Sequence, residues 1–306
     1  MTIELETDDR TEKLVSVLGN VLMQSVNEGL VLAQLEAFEF FEPMPAPIPL
    51  GEGTPLETKL DELSVALGDP PRILVMKEGD NPARYDTYVD AAIREIVSAF
   101  LRARTSVCRT HLYFIGSSLI KLHPECMHLP EDSNVRRILI ERVEECFWEH
   151  VETSCIRLAS FWDRMGQLLD FIFFNIRQYE RDGFPSVLDR IRTNILPMSP
   201  TLQNSQCWSR IRKYQTSEET VGLKWLLRRR NFFVHSLHLS PMRENQENQI
   251  FTSAYNHLEE NVKEKLRPGD KEWELNQMHE HLNAAASLFL DSVELALLGV
   301  SVARRA

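Results

Sequence analysis

Apolar residues recur along this chain at three- and four-residue intervals almost throughout, the period of helices rather than strands. From Thr11 to Phe41, Leu14, Leu18, Val21, Leu22, Leu32, Leu35 and Phe38 keep that spacing and predict one or two helices, weakened or bent at Gly19 and Gly29. Glu42 to Pro55 carries five prolines and two glycines and reads as a linker or extended connection. Leu56 to Leu67 predicts a short helix. Arg72 to Met76 is the only strand-like run, and one strand cannot make a sheet, so it reads as an extended loop segment.

Helical spacing strengthens after Pro82. Ala83 to Ile120 keeps Val89, Ile93, Ile96, Val97, Phe100 and Leu101 in phase. Ser133 to Tyr179 predicts a long tract, broken or bent near Val151 to Ser154. In its second half Leu158, Phe161, Trp162, Met165, Leu168, Leu169, Ile172 and Ile176 form a wide apolar face, with Asp163, Gln167 and Asp170 aligned opposite. Further helices are predicted at Pro185 to Leu196, Cys207 to Tyr214, Phe251 to Leu266 and Lys271 to Val302, the last with Asp270 as N-cap. No repeat of roughly 20 to 50 residues is present. The expected fold is an all-α helical bundle, an up-and-down core with extra N-terminal helices. Residues 1–70 form a helical extension with a proline-rich linker at 43–55, and residues 71–306 form the main domain.

One predicted helix is unusual. In TSEETVGLKWLLRRRNFFVHSLH, Thr216 and Glu219 have capping-box spacing, and no proline follows until Pro241. At about 100° per residue, Leu223, Leu227, Val234 and Leu237 fall in one apolar stripe, with Leu226 and Phe233 along its edge. Arg230 lies in the middle of that stripe. A guanidinium stays charged in a protein, so burial there demands a partner or an interface cavity. Lys224, Arg228, Asn231 and His235 share a second, polar face.

Composition narrows the function classes. With 43% hydrophobic and 26% charged residues the chain is an ordinary globular sequence rather than a disordered one. The net charge of −11 argues against binding nucleic acid or anionic membrane over the whole surface. Any such contact needs a local basic patch. Ser209 to Arg230 offers one: Arg210, Arg212, Lys213, Lys224, Arg228, Arg229 and Arg230 against Glu218 and Glu219. Five cysteines without C-x-x-C spacing, and an acidic N-terminus with no signal-peptide pattern, point to reduced thiols in a cytoplasm. The apolar run from Ala284 to Val302 contains Asp291 and Glu294. At about 3 kcal/mol per central carboxylate, a buried terminal helix is favoured over a membrane span.

Arg230-Asn231-Phe232-Phe233-Val234-His235 resembles the R-N-x-x-x-H signature of the HEPN superfamily (higher eukaryotes and prokaryotes nucleotide-binding), and SFWDRMGQLLDFI is similar to the helix preceding that motif in its long bacterial members. The resemblance covers roughly residues 80–303. It implies a helical, metal-independent endoribonuclease acting as a homodimer, often in toxin–antitoxin or anti-phage systems, with a protein antitoxin as one partner.

The residues suit that chemistry. His235 would transfer protons near neutral pH, Arg230 would stabilise the phosphorane, and Asn231 would orient. Lys224, Arg228 and Arg229 would bind RNA. Arg230 and His235 are about 140° apart on one helix, so two copies facing across a two-fold axis would complete a site better than one. Asp163 or Asp170 is the expected acid partner of Arg230. No cofactor is implied.

Each residue also has a plainer reading. Arg230 can pack its stem while its head reaches solvent, His235 can favour a helix end, and the arginine triplet can be a solvated cluster. Arg104 and His111 satisfy a looser form of the motif and are read as a decoy. His123 to His128 lacks a second ligand pair, so no metal site is expected. His279 and His281, two residues apart, cannot point together on a helix and are assigned a coil or surface role. The rival function is a non-catalytic HEPN-like scaffold that binds nucleotide, RNA or protein.

Overall fold

The computed structural model describes residues 13, 15–20, 22–24, 27, 53–68, 83–122, 133–174, 183–235 and 259–303. All their regular elements are helical, as an all-α bundle requires. Two compact units are formed, residues 1–44 and 45–306. In the first, residues 15–20 and 22–24 are helical, and Val15, Val17, Leu18, Leu22 and Met23 are exposed. The expected strand-like run at Arg72 to Met76, the His123 to His128 cluster and most of the proline-rich stretch lie outside the described residues.

The second unit opens with α1 (Pro55–Gly68), whose first turn is capped where the Glu57 amide donates to Thr54 Oγ1 at 3.4 Å. Leu56, Leu60, Leu63 and Leu67 form its buried stripe. That stripe joins α1 to α2 (Ala83–Leu122) and to the last helix, α9 (Lys271–Ala303). The compact unit that holds α1 spans residues 45–306.

The scaffold of this unit is the pairing of α2 with α3 (Ser133–Phe174). Phe100 meets Phe161, Arg157 donates to Ser106, Thr110 touches Ser154, and Phe114 meets Phe147. One number climbs as the other falls, so the two long helices run antiparallel. α3 is continuous through Val151 to Ser154, where a break or bend was expected, so it is not broken there. The polar residues there are satisfied without leaving the helix: Thr153 Oγ1 donates back to the Glu149 carbonyl at 2.8 Å, and Ser154 meets Thr110 at 3.1 Å.

After α3 come α4 (Phe184–Asn194), a 3-10 turn at Leu196–Met198, α5 (Pro200–Gln203), α6 (Gln206–Thr216), α7 (Leu223–His235) and α8 (Glu260–Leu266). Residues 251–258, expected to begin that last short helix, lie outside the described residues. Trp162 of α3 packs between Phe184 and Tyr214, at 4.9 and 5.1 Å between ring centres, and so ties α4 and α6 to the scaffold. α9 starts at the expected cap, the Trp273 amide donating to Asp270 Oδ1 at 2.8 Å. By length and composition it could cross a membrane, yet 56% of its most apolar window is buried in the bundle. There Asp291 is buried and paired with Arg210.

Candidate functional site

Between α6 and α7 the chain turns sharply, and the expected capping box at Thr216 does not form. Thr216 ends α6, its hydroxyl donating to the Arg212 carbonyl at 2.9 Å. Ser217 Oγ instead accepts from the Glu219 amide at 3.2 Å, and the Gly222 amide closes the turn on the Glu219 carbonyl at 2.9 Å. Gly222 lies so near Ser217 that a Cβ would sit 2.6 Å from its side chain. Helix α7 therefore starts at Leu223.

The buried face of α7 keeps Leu223, Leu226 and Phe233 of the expected stripe but not Val234. Leu223, Trp225, Leu226, Phe232 and Phe233 are buried, and Arg229 is at the centre of them. Val234 is 51% exposed. The aliphatic spacing underweighted Trp225 and Phe232, whose large rings bury more area than a valine and set the helix's rotation. Arg229, expected to bind RNA, is 0% exposed. It pairs with Glu274, also 0% exposed, and donates to the Leu266 carbonyl. Its guanidinium lies 5.3 Å from the Trp225 ring centre and 5.5 Å from that of Phe233. Trp225 Nε1 donates to the Lys265 carbonyl at 2.6 Å, so α7 is fixed to the corner between α8 and α9.

Arg230 is the next residue round the helix and reaches a rim instead. Its side chain is 30% exposed and pairs with Asp163 of α3 at 3.1 Å, while its other amino group donates to Asn231 Oδ1 at 3.1 Å. Burial pushes the Asp163 carboxyl above its ordinary value, and Arg230, with Arg164 behind it, pulls the other way. Asp170, the other expected acid, is buried and pairs with Arg190 instead. His235 ends α7, and its side chain, with Leu237 and His238, lies outside the described residues. The described part of the site is a held guanidinium beside an amide. Two of the five N–H groups of Arg230 are engaged, and the rest suit an oxyanion.

The basic patch expected over residues 209–230 is largely neutralised by ion pairing. Lys224 and Arg228 share Glu218, whose carboxyl is held below its ordinary value chiefly by the Lys224 hydrogen bond. Arg210 pairs with Asp291, and Arg212 with Asp189 at 2.6 Å. Among these cations Lys213 alone has no ion pair with a described residue.

The histidines of α9 are buried, not at the surface as their spacing suggested. A two-residue step turns a helix by about 200°, and a helix packed on several sides can bury both positions. His281 donates from Nε2 to the Thr220 carbonyl at 2.9 Å, because a carbonyl can only accept. Its Nδ1 therefore accepts from the Tyr214 hydroxyl at 3.0 Å. Trp225 stacks on the ring at 5.2 Å. Burial lowers His281 to about 4 and raises the Tyr214 hydroxyl. His279 faces His111 at 5.0 Å between ring centres, and burial lowers each to about 4. The decoy pair Arg104 and His111 is thus buried in the scaffold. Among the described residues no three His, Cys, Asp or Glu side chains are grouped to hold a metal ion.

No family model, curated protein or solved structure matches this chain.

Proposed function

We propose that this chain is a metal-independent endoribonuclease of the HEPN type that acts as a homodimer, in a toxin–antitoxin or phage-defence setting. The observation that carries the reading is the Arg230 guanidinium, half-buried, braced by Asp163 and Asn231, five residues before His235. A braced guanidinium meets phosphate at little entropic cost, and a histidine is the side chain suited to move the 2′-hydroxyl proton near neutral pH. Val234, exposed beside Asn231, gives a second copy an apolar contact at the same place.

The test is cleavage of labelled RNA in EDTA. Wild type cuts, while His235→Ala and Arg230→Ala do not; equal traces from all three end the proposal. A second reading, a HEPN-like scaffold that binds without cutting, is favoured by the ion pairing of the basic patch in a chain of net charge −11. It expects RNA or partner binding with no EDTA-resistant cleavage.

A further inference from the structure

Away from α7, the outer face of the α2–α3 pair carries a groove of about 440 Å³ lined by Ile93, Arg94, Val97, Leu101, Arg102 and Arg157, with Ser98 and Thr105. Among the described residues that line it, the floor is aliphatic and the charges are all positive. Arg94 and Arg102 are exposed and have no ion pair with a described residue. Arg157 is held in place by hydrogen bonds to Ser106 Oγ at 2.8 Å and to the Arg102 carbonyl at 3.2 Å. Burial, then Arg109 and Arg102, lower its proton affinity, as expected of a cation set among cations. A net-acidic protein thus keeps three guanidiniums round one apolar trough.

We propose that this groove receives an acidic amphipathic helix from a partner protein. The α2 residues that line it run from Ile93 to Thr105, a rise of about 18 Å, which matches three turns of a docked helix. Leucine-like side chains of the partner fill the space over Ile93, Val97 and Leu101, and its flanking carboxylates meet Arg94 at one end and Arg102 with Arg157 at the other. A second copy of this chain is a poor occupant, because two-fold pairing would set each arginine cluster against its own image. Single-stranded RNA is also a poor occupant. Among the described lining residues there is no aromatic ring on which a base could stack, and the aliphatic floor would gain nothing from phosphate.

The docking surface stands apart from the nuclease reading, since none of its residues belongs to the Arg230 site. The test displays a library of helical peptides, about fourteen residues long, with leucines fixed at helical spacing and Glu or Lys free at the flanking positions. Selection is made on the full chain. Glutamate-rich sequences emerge, and a selected peptide binds at least tenfold more weakly to the Arg94→Glu/Arg102→Glu variant, whose circular dichroism is unchanged. Arg102→Ala gives an intermediate loss, a second readout that needs no charge reversal. Selection of lysine-rich or mixed sequences, no enrichment, or equal binding to the variants overturns the proposal. So does a short labelled RNA that outcompetes the selected peptide and depends on the same arginines.

Discussion

Arg230 and Asp163 meet at 3.1 Å across the junction of α7 and α3, with about a third of each side chain still in water (30% and 34% exposed). Solvent at that distance screens the pair, so its worth lies in aiming the guanidinium rather than in stability. A double-mutant cycle of Asp163→Asn with Arg230→Ala in urea gives a coupling below about 1 kcal/mol. If the proposed nuclease activity is present, cleavage of RNA by Asp163→Asn falls far more than that coupling accounts for. An Asp163→Asn protein that cuts at the wild-type rate removes the positioning role.

Arg229 behaves oppositely. Arg229→Ala leaves the buried Glu274 carboxylate without its cation and costs about 3–5 kcal/mol, read as a lower urea midpoint at unchanged slope. Arg229→Met with Glu274→Leu recovers most of that loss, because a well-filled apolar pair has no charge to desolvate. Arg230→Ala, one residue on, costs under about 1 kcal/mol. A comparable loss from both arginines would mean that the rim and the core have been misassigned.

Acid unfolds this protein early. His111, His279 and His281 titrate near 6.5 when unfolded and at about 4 in the fold, so the folded state resists protonation. Their contribution is complete above pH 6.5 and is lost as the pH falls towards 4, because only the unfolded chain takes up protons in that window. The loss is on the order of 3 kcal/mol for each histidine. Unfolding midpoints measured at pH 7 and pH 5 check the sign, and His281→Gln flattens the slope. Tyr214→Phe costs about 1–3 kcal/mol by removing the donor to His281 Nδ1.

Gly166 sits on α3 where α4 crosses it. A Cβ there would lie 2.8 Å from the Phe184 Cα and 3.0 Å from its backbone nitrogen. Backbone cannot swing aside as a side chain can, so Gly166→Ala costs about 1–3 kcal/mol despite the better helix propensity of alanine. A thermal melt at or above wild type would contradict that close approach.

Much of the bundle was legible because helical spacing is local: the bounds of α1, α2, α6 and α9 follow the apolar rhythm within a few residues. The rotation of α7 was not. Apolar residues occur on nearly every side of Leu223 to Val234, so spacing alone could not tell whether Arg229 or Arg230 faced inwards. Trp225 and Arg229 decide it through partners on α8 and α9 some forty residues later in the chain. The ion pairs that neutralise the basic patch are long-range for the same reason. Glu218 was visible, but Asp291, Asp189 and Glu274 give no local sign that they answer Arg210, Arg212 and Arg229. Arg94, Leu101, Arg102 and Thr105 do share helical spacing, yet the groove exists only once Arg157 is brought alongside.

The buried Arg229–Glu274 contact has an angular consequence. A helix held only by grease can roll a few degrees and still satisfy its neighbours, whereas a guanidinium locked to one carboxylate and one carbonyl fixes the azimuth of everything wound after it. Asn231 and Val234 therefore point where they do because a hidden cation, two residues before Asn231, acts as a keyway. Inserting one alanine between Arg229 and Arg230 would swing that outer edge by about 100° and carry Phe232 and Phe233 out of their buried places with it.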